Sequence, residues 1–475
     1  MKPMTTLDRR SLLAHGAAAT GAILAAPLMD AANSFALPAA TLRRPARAQG
    51  TGPNERLQLL QVGVGGSIAP ADRAQLKAHP AVAFTGFCDV DSDALAAVAA
   101  EHPGAFTCRD FREAFAFHAD KFDGVVVCTP DHNHALIMLT ALKHGKHVYG
   151  QKPLVQQLGE VPMMLDAVAA RPGLVTQVGN QRMGPTGRQH AVDILRRGIL
   201  GKAIEAHVWI SGPGDAGDGY FYYGERREIP PPANVDWQLW LGAAQDAPCC
   251  EGLVGLRWRS SWDYGTGQLG DWCTHLLDVL YFAYDLPAPP AVVSHTRAPS
   301  GFYHAQHVHS TLTYPAGGPR FAGDRFVVHY CDKGQAPSRA SLGLPAGEWP
   351  GIGTLVVCEG GVLLVRPEGE ITVWVGGREV DWKQFPGQDE IRERNHWRSW
   401  VDRIIGRPGA FVQTPFAAGA GMAEAGLLCC RAARYPGREL RWDRGSASFI
   451  GDPEATDSIV HRRYRMGFEP PKMGK

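Results

Sequence analysis

The chain is expected to fold as α/β: a doubly wound parallel sheet, then an α+β region with an open, largely antiparallel sheet. Three observations lead there. Strand-like and helix-like stretches alternate from residue 57 to 180. The short apolar run "FDGVVVCTP" (122–130) suits a strand buried on both faces. Beyond 180, alternating strand patterns take over.

The first strand, "LQLLQVGVGG", ends in glycines; the second is "VAFTGFCDV" (82–90), with "DALAAVAAEH" as the helix after it. "HALIMLTALKHG" (134–145) has apolar residues at helical spacing and a closing glycine. "KHVYG" is the next strand, "VPMMLDAVAA" the next helix and "GLVTQVGN" (173–180) a further strand. After a helix in "GRQHAVDILRRGILG", the stretches "AIEAHVWISG", "AVVSHTR", "HVHSTLTYP", "RFVVHYCD" and "TLVVCEGGVLLVRPEGEITVWV" read as strands. "NHWRSWVDRIIG" (395–406) and "AGMAEAGLLCCRAAR" (420–434) read as amphipathic helices.

With 475 residues, 45% of them hydrophobic, the chain can build more than one sizeable core. Its formal charge is +1, and without residues 1–36 (Lys2, Arg9 and Arg10 against Asp8 and Asp30) the remainder is neutral. Such a balance gives no general pull toward nucleic acid or anionic lipid. Arg9–Arg10 followed by Ser11, Leu12, Leu13 and an Ala/Gly/Leu run resembles a twin-arginine export signal, with a small-residue cleavage site at "SFA" ending at Ala36 or, alternatively, at "ARA" ending at Ala48. The run is too short and small for stable membrane insertion. The expected order is a signal over 1–36, a linker over 37–55, a nucleotide-binding domain over 56–180, a substrate and oligomerisation domain over 181–450, and a tail over 451–475. The export machinery is an expected partner, and the periplasm or its equivalent the expected location. The ten cysteines contain no C-x-x-C, and no metal site is expected; the buried thiol is their default reading.

"QVGVGGS" lies between a strand and helix-compatible sequence, as a dinucleotide-binding loop does. Gly63 would make the tight turn and Gly65 would let the backbone approach a pyrophosphate, with Gly66 and Ser67 completing the loop. Asp89, at the end of the second strand, would accept hydrogen bonds from a ribose 2′-hydroxyl and repel a 2′-phosphate. NAD is therefore expected over NADP. "CTPDHNH" and "YGQKPL" both end parallel strands, where ligands bind in such sheets. Pro153 keeps Lys152 out of a helix, so its ammonium is aimed. Asp271 and His275, four apart in "GTGQLGDWCTHLLD", would share one helix face, the carboxylate tuning the imidazole as a general base.

Together these motifs resemble the glucose–fructose oxidoreductase / inositol dehydrogenase (Gfo/Idh/MocA) family over 56–445. Gln151-Lys152-Pro153 matches its acid-lysine-proline motif, with Gln151 where most members carry Glu. Gly265, Gly267, Gly270, Asp271 and His275 match its second-domain signature. The resemblance implies a Rossmann domain with Thr129, Pro130, Asn133, His134, Gln151 and Lys152 against the cofactor. It also implies an oxidoreductase acting on a sugar, polyol or glycoside hydroxyl, with Lys152, Asp271 and His275 catalytic. Lys152 is expected to hold that hydroxyl with a lowered pKa, and Asp271 to orient His275 or bind a neighbouring hydroxyl. Asn180 and Arg182 are candidates for substrate or cofactor contact, and Trp209, Tyr220, Tyr222, Tyr223 and Trp262 for stacking on a sugar. The alternatives are a redox-neutral glycosidase or isomerase with tightly bound NAD, and a catalytically silent carbohydrate-binding relative. An open second sheet also suggests a homo-oligomer.

Overall fold

The structure is a computed structural model that describes residues 56–210, 220–298, 300–333 and 335–473. The expected export signal and linker lie outside the described residues.

Six parallel strands form the first sheet: β1 (Leu57–Val62), β2 (Val82–Cys88), β3 (Phe106–Cys108), β4 (Gly124–Val127), β5 (His147–Gly150) and β6 (Thr176–Val178). Their spatial order is β3-β2-β1-β4-β5-β6. The connecting helices are α1 (Ala69–Lys77), α2 (Ser92–Glu101), α3 (Phe111–Phe117), α4 (His134–Lys143) and α5 (Glu160–Ala169). Because strand order reverses between β1 and β4, the loops after these two strands part and leave a crevice at their carboxyl ends. β4 is buried at every position, as a strand covered by helices on both faces must be.

The second lobe begins with α6 (Thr186–Arg196). It holds a ten-stranded sheet of β7 (Ala203–Ile210), β8 (Ala291–His295), β9 (His309–Pro315), β10 (Arg325–Asp332), β11 (Ile352–Cys358), β12 (Gly361–Val365), β13 (Ile371–Val375), β14 (Arg378–Val380), β15 (Glu439–Asp443) and β16 (Ser448–Phe449). Only β7 and β10 pair in parallel. A short α7 (Trp237–Leu241) precedes α8 (Gly267–Tyr284), whose Leu276, Leu277, Val279 and Leu280 are wholly buried in the core. The first turns of α8 therefore sit at the crevice on a rigid rod.

One feature crosses the expected domain boundary. After β14 the chain returns to the first lobe as α9 (His396–Ile404), and Trp400, Val401 and Ile404 join Leu57, Leu59, Val126 and Tyr149 in one core. The amphipathic pattern of 395–406 marks a helix but does not say which sheet it covers. α10 (Phe416–Ala432) then packs along α8, and α11 (Pro453–Ile459) precedes a tail that runs back to the crevice. Among the described residues no helix is long and apolar enough to cross a membrane.

Since Trp400 is fully buried and donates its indole N–H to the Val175 carbonyl (3.3 Å), Trp400→Ala is expected to destabilise the protein by about 3–5 kcal/mol. Urea unfolding measures this; a loss under about 1 kcal/mol would make α9 a surface addition.

Candidate active site

The crevice floor is built by the loop after β1. Gly63 has φ +81°, and a Cβ there would lie 2.7 Å from the Cys128 carbonyl carbon, so this position admits only glycine. Asp89 braces the loop: its carboxylate accepts from the backbone N–H of Val64 (2.7 Å), Gly65 (3.3 Å) and Asp91 (3.0 Å). Burial holds the Asp89 carboxyl above its ordinary range. α1 starts at the fully buried Ala69, with no side chain capping its first amides. Arg109 lines the same end, but its guanidinium donates to the carbonyls of Val90 (2.7 Å) and Asn234 (3.3 Å). The glycine turn, the uncapped start of α1 and a braced carboxylate fit a dinucleotide with an unphosphorylated ribose.

The cleft is continuous from Gly65 and Asp89 to Lys152, Asp271 and His275, with the first lobe as floor and the second as roof. Thus the structure brings together the three side chains singled out from sequence. The Lys152–Pro153 peptide is cis. Lys152 Nζ lies 3.0 Å from Asp271 Oδ1 and donates to the Asp271 carbonyl at 3.0 Å. An ammonium has three protons, so one remains for a ligand.

Two expectations are corrected. Asp271 does not orient His275; it is engaged by Lys152, with Arg259 Nε 3.9 Å away. Nor is the Lys152 pKa lowered. Burial pulls it down, but the Asp271 carboxylate and Tyr220 together push it above the ordinary lysine value.

His275 is oriented from behind. Its Nδ1 lies 2.9 Å from Asn180 Oδ1, and Asn180 Nδ2 donates to Asp278 Oδ2 at 3.2 Å. Asp278 is in turn bound by the buried Arg188 and by the Val279 N–H. A carboxylate facing Asn180 fixes the amide's orientation, which makes Oδ1 the acceptor toward the imidazole. His275 must therefore carry its proton on Nδ1 and present the Nε2 lone pair to the cleft. Burial, with Lys152, Arg182 and Arg188 adding to it, holds the imidazole pKa well below its ordinary value. The ring is neutral at pH 7. Asn180 is wholly buried, bonds His275 and Asp278 and is not among the residues lining the cleft, so it is placed to position the base.

The other predicted residues divide. Gly66, Ser67, Thr129, Pro130 and Arg182 line the cleft, Arg182 paired with Glu368 at 3.1 Å. Asn133, His134 and Gln151 also border it, but their polar atoms are turned to protein. His134 lies between the carbonyls of Thr129 (2.8 Å) and Pro153 (2.7 Å), where two cleft loops meet, and its single N–H can donate to one of them. Asn133 bonds the Trp240 carbonyl (3.2 Å) and the Ala243 N–H (2.9 Å), fastening the roof. Gln151 donates to Asp72 at 2.5 Å; that buried carboxylate also accepts from the Trp397 indole (2.7 Å). An acid thus stands directly behind Gln151, on α1.

Of the aromatic candidates only Tyr220 lines the cleft; Trp209 packs on Trp349, and Trp262 lies under Arg434. Missed were Arg259, stacked on Tyr220 (4.2 Å) and Trp258 (4.3 Å), and Trp272 beside His275. Asp131 was visible inside "CTPDHNH" yet unassigned. It is buried, accepts from the Thr266 hydroxyl (2.9 Å), and is pushed up to about 7 by burial and the nearby Asp271. Among the described residues no three metal-ligating side chains gather; His304 bonds the Gly265 carbonyl and His309 lies against His329.

Floor, braced carboxylate and lysine–imidazole couple define an NAD-binding oxidoreductase. Residues 57–179 match the model "Oxidoreductase family, NAD-binding Rossmann fold" and residues 189–316 the matching "C-terminal alpha/beta domain". The chain belongs to the Gfo/Idh/MocA oxidoreductase family. An uncharacterized oxidoreductase of Streptococcus pneumoniae is 28% identical over 90 residues, which span 19% of this chain and 24% of that one. The chain therefore aligns with about a quarter of that curated relative. The fold resembles the aldose–aldose oxidoreductase of Caulobacter crescentus solved with glycerol (TM-score 0.56, 14% identity, 82% of this chain, 100% of that one). It also resembles an inositol dehydrogenase homologue of Azotobacter vinelandii solved with NADH and myo-inositol (TM-score 0.56, 16% identity, 82% and 98%).

Asn180→Ala is expected to lower kcat by roughly 10²-fold, the lower end of what a positioned base contributes, and to change the acid limb of the kcat–pH profile. An unchanged profile would remove Asn180 from control of the base. The buried histidines also set the pH response of stability. His275, His132 (lowered to about 3) and His396 (to about 4) are all held below the ordinary value by burial. They bind protons only on unfolding, so their contribution is complete above about pH 6.5 and is lost progressively as pH falls below it. Raised buried carboxyls, Asp131 among them, act in the opposite sense, so the histidine contribution is read by difference. The thermal midpoint of His396→Gln should fall less between pH 7 and 5 than that of wild type, and an equal fall would contradict this.

Proposed function

We propose that this protein oxidises a secondary hydroxyl of a sugar, polyol or glycoside. The observation that carries the reading is the meeting of Lys152 from the first lobe and His275 from the second at one end of a dinucleotide-shaped cleft. NAD, when bound, supplies the hydride acceptor. His275 Nε2 takes the hydroxyl proton. Lys152, held by Asp271, turns its free N–H toward that oxygen and stabilises the negative charge that builds there. Because His275 is neutral, its Nε2 lone pair is available to take the proton, and the amide behind it fixes the tautomer without the added basicity a carboxylate would give. Arg259, Tyr220 and Trp272 form the wall against which a polyhydroxylated ring would lie.

The export-type N-terminus favours a second, finer form of this reading. A protein folded before export would carry its cofactor with it, and a retained cofactor suits redox-neutral chemistry. Oxidation at one carbon acidifies the neighbouring C–H and permits elimination of a glycosidic group, after which the hydride returns. Asp131, buried near neutral pKa beside Lys152 and Asp271, is the second proton carrier that such a sequence needs.

Lys152→Ala is expected to abolish turnover while NADH still binds, measured by nicotinamide fluorescence; near-normal turnover would exclude Lys152 from the chemistry. Adding sugars and glycosides to the native protein separates the two forms. Net oxidation accumulates reduced nicotinamide in step with added NAD, whereas the redox-neutral form cleaves glycosides without accumulation. If denatured native protein releases no dinucleotide, the retained-cofactor form fails.

A further inference from the structure

The tail after α11 makes more contacts with the cleft than a chain end needs. Phe468 is buried among Leu136 and Ala243, with Phe111 and Tyr464 against it, and it lines the cleft, as do Phe111 and the Asp110 that holds Arg112 over its ring. Two guanidiniums flank that ring: Arg112 at 4.0 Å and Arg465 at 4.5 Å. Arg112 is held by Asp110 and donates to the Gly467 carbonyl at 2.9 Å. The first lobe is further gripped by Arg462, which donates to the His132 carbonyl (3.4 Å), and by Tyr464, whose hydroxyl donates to Glu160 (3.0 Å).

The same short stretch also holds the roof. Arg465 donates to the Gln238 side chain (2.5 Å) and to the Gly242 carbonyl (3.2 Å), and its own N–H bonds the Ala243 carbonyl (3.4 Å). Gln245 donates to the Arg463 carbonyl at 2.7 Å. Leu239 and Gly242, which this stretch secures, line the cleft. Each lobe is thus bonded to the tail at one end of the cleft.

We propose that residues 462–468 are part of the dinucleotide site: Phe468 is a cofactor-contacting residue that closes the adenosine end, and Arg465 locks the roof segment 238–243 onto it. Release of cofactor then requires the tail to detach from at least one lobe. This rests on the NAD-binding fold and not on the identity of the substrate.

The test is stopped-flow release of NADH from the purified full-length protein, chased with excess NAD, for wild type, Phe468→Ala and Arg465→Gln. Release is expected to accelerate roughly 10- to 100-fold in Phe468→Ala, the equivalent of one buried ring. A smaller acceleration is expected in Arg465→Gln, and Phe468→Leu should restore most of the retention. Arg465 lies at the surface end of the contact, so its variant keeps the test open should Phe468→Ala fail to fold. Release rates equal to wild type in Phe468→Ala and Arg465→Gln would overturn the proposal. Because the assay uses no sugar, failure of the substrate reading leaves this result interpretable.

Discussion

The structure depends on one cross-lobe contact: the Lys152 ammonium against the carboxylate and backbone carbonyl of Asp271. Both side chains are largely withdrawn from water, 15% and 4% exposed, and neither charge would be tolerated there alone. The pair therefore ties the first sheet to the head of α8 and fixes where the ammonium points. Arg259 and Asp131 extend it into a balanced group of two cations and two carboxyls. Burial and Arg259 pull the Lys152 pKa down, and the Asp271 carboxylate with Tyr220 outweighs them, which explains why Lys152 stays charged in a buried place.

Around this pair the site separates two tasks that a single carboxylate could not perform. Asp271 serves the lysine, and the line from Arg188 through Asp278 and Asn180 serves the imidazole. Since an amide lies between the buried carboxylate and His275, the ring receives orientation and tautomer without the rise in basicity that a direct carboxylate would give. The positive charges of Lys152, Arg182 and Arg188 lower its basicity further. The cleft thus presents a neutral imidazole and a charged ammonium. Both are backed by one core, which buries Val148, Leu154 and Val155 beside Lys152 together with Leu276 and Leu277 beside His275.

Much of this was legible in the amino-acid sequence, for identifiable reasons. Parallel strands buried on both faces leave apolar runs, glycine in a left-handed turn cannot be replaced, and a four-residue spacing survives as a shared helix face. Those signals located the first sheet, the Gly63 turn, and both Asp271 and His275. What a shared face cannot reveal is whether the two side chains touch. The partner that claims each one, Lys152 or Asn180, comes from a strand end more than 90 residues away. The return of α9 to the first sheet was equally hidden, because an amphipathic stripe is the same whichever core receives it. The tail at Phe468 carries no periodic pattern at all; its place is set by long-range bonds through Arg112 and Arg465. Gln151 showed a missing charge in sequence, and only the fold shows Asp72 standing behind it.

The account's central claim is that ammonium and imidazole act on one point of a bound dinucleotide. A crystal structure of the protein grown with NADH tests it most directly. The claim predicts a nicotinamide ring lying between Lys152 and the His275 Nε2, with the adenosine against Asp89. Density showing the ring elsewhere, or His275 turned so that Nε2 faces Asn180, would contradict it.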